Sequence, residues 1–127
     1  MGGLSFTGTF DESGIWYTDS GHKGPLESSI RIEIRGDDVH FNYEDGSVHI
    51  AQGAATGPGH YPLHGHGLTG VCLVGALTLM LEYRTDIDGR VEHNVDQWTF
   101  ADSDIHRSGI IRQPERLIWF EALVTRR

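Results

Sequence analysis

The 127-residue chain contains one cysteine and far fewer basic than acidic residues. A single cysteine, Cys72, excludes an intramolecular disulfide, so nothing in the sequence favours an oxidising compartment. Lys and Arg together number 10 against 18 Asp and Glu, which gives a formal net charge of −8. A surface that tracks phosphates needs clustered basic side chains. We therefore expect no nucleic-acid partner.

Long hydrophobic runs are also missing. The longest apolar-rich stretch, residues 68–81, is interrupted by glycine and threonine and is too short for a membrane-spanning helix. The amino-terminal Met-Gly-Gly-Leu-Ser-Phe lacks the basic and apolar regions of a signal peptide. These features predict a cytoplasmic protein without a membrane partner. Cys72 lies in an apolar run, which favours a small buried hydrophobe over a reactive thiol.

Helical periodicity is absent from any segment longer than a turn. About nine short stretches instead alternate apolar and polar residues, as strands with one buried face do. The clearest is residues 29–35, where Ile30, Ile32 and Ile34 share one face and charged residues share the other. Turn sequences such as Asp45-Gly46 separate these stretches roughly every eight to twelve residues.

Short consecutive strands joined by tight turns predict an all-β, single-domain antiparallel up-and-down barrel over residues 1–127, with about eight to ten strands. Closure into a barrel would remove unpaired strand edges. The pattern resembles the lipocalin-like, or calycin, group of small barrels, and Gly14-Ile15-Trp16 stands where lipocalins often carry a Gly-x-Trp near the first strand. The resemblance implies a central cavity for a small apolar or amphipathic ligand. Residues 53–67, rich in glycine, proline and histidine, are expected to form a loop that gates this cavity.

The stretch 91–98 is polar on both faces, so its register decides what enters the lumen. One register turns His93 and Gln97 inward with two valines. The other turns four different side chains inward, namely Glu92, Asn94, Asp96 and Trp98. Buried polar groups are normally paired or presented to a ligand or to water. The alternative is that one face meets solvent and a bulge near Asp96 switches the register.

The last strand carries one charge, Glu121, on the same face as Leu117, Trp119 and Leu123. If that face lined the lumen, desolvation would raise the pKa of Glu121 and suit it to acid–base chemistry. If it lay outside, Trp119 would suit a homodimer contact.

Histidines are densest at His60, His64 and His66. A His-x-His pair is a familiar half of a metal site, and this one resembles the start of the cupin metal motif. The next acidic residue, Glu82, lies beyond the spacing of that motif, so a third ligand would have to come from another histidine: His22, His93 or His106. The alternative is a flexible, solvated loop.

Three functions are compatible with these patterns, besides cupin-like metal binding through His60, His64 and His66. The first is a small-molecule-binding barrel with a partly polar lumen and no cofactor. Its candidate ligand-binding residues are aromatic or amide side chains, namely Trp16, Tyr43, Tyr83, Asn94, Gln97, Trp98 and Trp119. The second is a cofactor-free enzyme of the isomerase, cyclase or lyase (dehydratase) type, in which His93 or Asp96 would form an acid–base pair with Glu121. The third is a filled structural barrel that dimerises through Trp119.

Overall fold

The computed structural model describes residues 6–101 and 104–127, and these form a closed antiparallel barrel of ten strands. Each strand pairs with its neighbours in the sequence, and the last strand pairs with the first. The strands are β1 (Gly8–Thr18), β2 (Lys23–Arg35), β3 (Asp38–Tyr43), β4 (Val48–Ala51), β5 (Gly59–Gly65), β6 (Leu68–Val74), β7 (Thr78–Ile87), β8 (Arg90–Ala101), β9 (Asp104–Arg112) and β10 (Leu117–Arg126). The prediction of an all-β up-and-down barrel of eight to ten strands is confirmed. In the described residues, no helix has both the length and the apolarity to cross a membrane.

Side chains alternate between the inside and the outside of the barrel, as the period of two requires. In β2, Ile30 and Ile32 are buried while Arg31 is exposed. The turns divide into two sets, because an up-and-down barrel places alternate turns at opposite ends. The β1–β2, β3–β4, β5–β6, β7–β8 and β9–β10 turns share one end, which we call the open end. The other end we call the packed end.

The packed end is filled by apolar side chains. Phe6 lies against Phe100 with ring centroids 4.5 Å apart, and Phe10 meets Trp98 edge-on at 5.7 Å. Cys72 belongs to this core and is fully buried, and burial raises its pKa to about 12. Its interpretation as a small buried hydrophobe is confirmed, since a thiolate is strongly disfavoured there.

The predicted gating loop is wrong for most of its length. Residues 59–65 form β5, in which Tyr61 and Leu63 point inward, and Leu63 is only 2% exposed. Before β5, Ala54–Thr56 form one 3-10 turn at the packed end, with Ala54 buried in the core. In the sequence, the glycines and Pro62 obscure the alternation of inward and outward side chains in β5. Only a few of its side chains are buried on the inward face. The 3-10 turn therefore lies at the packed end, and of the predicted loop only the β5–β6 turn, residues 66–67, lies at the open end.

Candidate functional site

Three charged side chains meet inside the barrel between its packed and open ends, and we call them the charged layer: Glu12 of β1, Asp96 of β8 and Arg107 of β9. Arg107 donates from Nε and Nη2 to the two oxygens of Asp96, at 2.8 and 2.7 Å. Its Nη1 donates to both oxygens of Glu12, each at 2.8 Å. The carboxylate side chains are 2% and 4% exposed and Arg107 is 11% exposed, so all three are desolvated. Such charges persist in a protein interior only when they are paired and hydrogen-bonded.

One small neighbour makes room for the Arg107 side chain. Its cross-strand partner in β10 is Ala122, which stands between β9 and the strand that carries Glu12. The guanidinium lies over the rings of Trp98 and Phe120, at 5.3 and 5.0 Å from their centroids. Aromatic faces attract a cation, and the attraction is stronger when the cation is desolvated. Burial alone lowers the pKa of Arg107, but Asp96 and Glu12 raise it by more, so the guanidinium stays charged.

Above the charged layer, a cavity of about 620 Å³ opens toward the turns. Tyr43, His49 and Tyr83 form one wall, with His49 between the two tyrosine rings at centroid distances of 4.6 and 4.9 Å. His49 Nδ1 lies 3.1 Å from the Tyr43 hydroxyl. Burial lowers the pKa of His49 to about 4, although Asp96 and Asp45 act in the opposite direction. Burial also raises the pKa of both tyrosines, so the whole wall is neutral near pH 7.

A second cavity, of about 390 Å³, lies beside the first and is mainly apolar. Trp16 lines it, with its indole directly over Gly24 of β2, where a Cβ would lie 2.5 Å from the ring. The opposite lining comes from three apolar side chains of β9 and β10: Ile111, Ile118 and Phe120. Leu26 and Arg107 line both cavities. An apolar compartment and a polar compartment thus adjoin inside one barrel.

Five of the predicted site residues lie at the two cavities or in the charged layer. Trp16, Tyr43, Tyr83 and Asn94 line the cavities, and Asp96 is part of the charged layer. In β8 the register is therefore the one that turns Glu92, Asn94, Asp96 and Trp98 inward. Trp98 also points inward, but it is 1% exposed and belongs to the packed core beneath Arg107. Its Nε1 has no hydrogen-bond partner among the described residues.

Four predicted site residues lie on the outer face of the barrel instead. In β8 the register turns His93 and Gln97 outward, and in β10 Ile118, Phe120 and Ala122 face inward, which turns Trp119 and Glu121 outward. Glu121 therefore stands on the opposite face of the sheet from Asp96 and accepts a hydrogen bond from Tyr17 at 3.3 Å. The predicted pairing of Glu121 with Asp96 inside the lumen is not formed. Trp119 is 40% exposed and stacks on Tyr17 at 5.6 Å.

The histidine cluster does not assemble into a ligand set. His60 and His64 are exposed on the outer face of β5, and His66 is exposed in the turn that follows. Of the other candidates, His22 contacts the Ser20 hydroxyl through Nδ1 at 3.2 Å. Within residues 6–101 and 104–127, no group of three or more His, Cys, Asp or Glu is arranged to hold a metal ion.

Sequence reasoning missed Glu12, His49 and Arg107. A signal for two of them was present, because Glu12 shares the inward parity of Phe10 and Trp16, and Arg107 shares that of Ile105 and Ile111. An isolated charge at an inward position needs an opposite charge at another inward position. Applied across all strands, that rule would have grouped Glu12, Asp96 and Arg107.

No protein-family model, curated protein or solved structure matches this chain.

Proposed function

We propose that this protein binds a small amphipathic molecule in the open end of its barrel. The apolar part of the molecule lies between Trp16, Leu26 and Phe120, and its polar part lies above the charged layer beside Tyr43 and Asn94. The observation that carries the proposal is the pair of adjoining cavities, one mainly apolar and one polar, which share Leu26 and Arg107.

Two physical arguments support this function over a purely structural barrel. The cavities have volumes of about 390 and 620 Å³, which fall in the range of small-molecule sites. Unfilled space inside a barrel forfeits packing energy, and buried polar groups cost stability, so a structural barrel gains from filling its lumen with aliphatic side chains. Here the packed end is filled in that way and the open end is not.

The test is a substitution that fills the space where the two cavities meet. Leu26→Trp places a large ring where both cavities meet, and Leu123→Trp adds the same ring on the outer face, where Leu123 is 62% exposed. Each protein is incubated with a cell-derived extract of small molecules, re-isolated and analysed by native mass spectrometry. We expect bound organic masses on the wild type and on Leu123→Trp, and their loss from Leu26→Trp. Equal retention by all three proteins, or retention by none, contradicts the proposal.

A second candidate function is a cofactor-free enzyme that transfers protons, as isomerases and lyases do. The observation that favours it is the Tyr43–His49 contact on the cavity wall, where a neutral imidazole and a phenol lie within hydrogen-bond distance. Such a pair can accept a proton at one atom and donate one from the other.

The readout for this activity is exchange of carbon-bound hydrogen. Small ketones are incubated with the protein in D₂O, and deuterium incorporation is followed by proton NMR. Catalysed exchange that falls at least about tenfold in both His49→Gln and Tyr43→Phe, and not in the outer-face variant His93→Gln, is expected for this function. Exchange at the buffer rate with the wild type excludes it for these substrates.

A further inference from the structure

The charges that border the polar cavity are unequal in sign. Four acidic side chains line it, namely Glu12, Glu44, Asp45 and Glu92. In the part of the chain that the structure describes, Arg107 is the one basic side chain that lines it. Arg107 is already engaged by two carboxylates, so the charged layer carries a formal charge of −1. An anion that entered the cavity would gain little from Arg107, because the two carboxylates more than offset the charge of its guanidinium.

The uncharged wall of the cavity also favours a positively charged ligand. The rings of Tyr43 and Tyr83 border the cavity, and aromatic faces attract cations by their quadrupole. The Tyr43 hydroxyl and the Asn94 amide add oxygen acceptors that suit an N–H donor. His49 contributes no positive charge near pH 7, because burial lowers its pKa. Arg116 borders only the apolar cavity, from an exposed turn, and its Nε donates to Gln113 Oε1 at 2.8 Å.

We propose that the ligand is an organic cation, a protonated amine carried on an apolar or aromatic tail. This inference rests on the proposed binding function and specifies the chemical class of the occupant. The ammonium group lies above the charged layer, where it restores local neutrality, and the tail lies against Trp16 and Phe120. A carboxylate on the same tail would add a further negative charge to a desolvated acidic site and is rejected.

The test uses three molecules that share a tail and differ in the head group: 4-phenylbutylamine, 4-phenylbutanol and 4-phenylbutyrate. Near neutral pH the amine is protonated and the acid is ionised. Their dissociation constants are measured by isothermal titration calorimetry at about 0.15 M salt, where exposed charges are screened and buried ones much less so. We expect the amine to bind about tenfold or more tighter than the carboxylate, with the alcohol between them.

A charge-neutralising variant locates the source of this preference. Glu12→Gln removes one negative charge from the charged layer and keeps an oxygen that accepts from Arg107. Glu27→Gln makes the same change in net charge on the outer face, where Glu27 is exposed. We expect the ratio of amine to carboxylate affinity to fall about fivefold or more in Glu12→Gln and to stay unchanged in Glu27→Gln. If Glu12→Gln fails to fold, Glu92→Gln at the side of the same cavity replaces it.

Each result has one meaning. Equal or tighter binding of the carboxylate overturns the cation assignment and leaves the binding function standing. An amine preference that neither Glu12→Gln nor Glu92→Gln lowers also overturns the assignment, because the preference would then arise outside the cavity. Absence of saturable binding by all three molecules, the uncharged alcohol included, counts against the binding function itself.

Discussion

At the scale of single residues, Arg107 determines whether two buried carboxylates are tolerated. Replacing it by methionine keeps much of the volume over Trp98 and removes the only charge that Glu12 and Asp96 contact within the described residues. Breaking a buried ion pair by deleting one partner costs about 3–5 kcal/mol. We expect Arg107→Met to lower the free energy of unfolding in urea by that amount. Arg31→Met, on the exposed face of β2, should change it by less than about 0.5 kcal/mol, and equal effects would contradict the role of the charged layer.

His49 makes stability depend on pH in the acid range. Its pKa is about 4 in the folded protein and about 6.5 in an unfolded chain, so the unfolded state binds more protons between these values. Stability is therefore fully present above about pH 6.5 and is lost as the pH falls toward about 4. After allowance for the partial exposure of the ring, we expect a loss of about 2 kcal/mol from this group.

The measurement compares urea unfolding at about pH 7 and pH 4.5 in the wild type, in His49→Gln and in the exposed control His93→Gln. His49→Gln should lose less stability on acidification than the other two proteins. The same pH dependence in all three would rule out this linkage.

The inward residues were only partly predictable, because alternation identifies two faces and does not say which is inside. In β8 both faces are polar, and the choice depends on Arg107 and Glu12, which lie in distant strands. In β10 both faces carry large apolar residues, and Phe120 is inward because Gly109 of β9 leaves space for its ring. Trp119 then stands outside. Neither choice follows from the strand's own sequence.

At the scale of elements, the seam between β1 and β10 closes the barrel, and Gly14 sits at its centre opposite Ala122. A Cβ on Gly14 would lie 2.6 Å from the Ala122 Cα and would overlap the Glu121 carbonyl oxygen. Backbone atoms in a paired strand cannot move aside without breaking the ladder. We expect Gly14→Ala to cost more than about 2 kcal/mol of unfolding free energy in urea.

Ser13→Ala serves as the matched control on the same strand, since Ser13 is exposed and points outward. It should change the unfolding free energy by less than about 0.5 kcal/mol. If Gly14→Ala were equally harmless, the close approach of the two strands at the seam would be disproved.

Among the elements, several hairpin turns were predictable because tight turns carry their own signals. Asp88 and Gly89 both adopt positive φ, at 54° and 81°, as an Asp-Gly hairpin favours. β5 was not predictable in the same way, because its glycines, its proline and its histidines do not favour a strand. Pairing with β4 and β6 and burial of Leu63 override those local preferences.

At the scale of the whole molecule, the two ends of the barrel differ in packing, and we expect them to differ in local stability. Backbone amides near Ile32, Phe41 and Leu81 lie beside the filled core, whereas those near Leu26 and Ile118 border the cavities. Residue-resolved hydrogen exchange should be about tenfold or more slower in the first group. Uniform protection along the strands would show that the barrel opens only as one unit.

The charged layer also forms the floor of the polar cavity, and so would limit the depth of the proposed ligand. Thr18, the last residue of β1, stands six positions beyond Glu12. At about 3.3 Å per residue, and with the usual strand tilt, the inside of the barrel above the charged layer is about 15 Å deep. In a series of amines whose alkyl tails differ in length, each added methylene should therefore improve the binding free energy by about 0.8 kcal/mol until the tail fills this depth. Further methylenes should not improve it. If the proposed binding function holds, Glu12, Asp96 and Arg107 would set the longest tail that the barrel accepts.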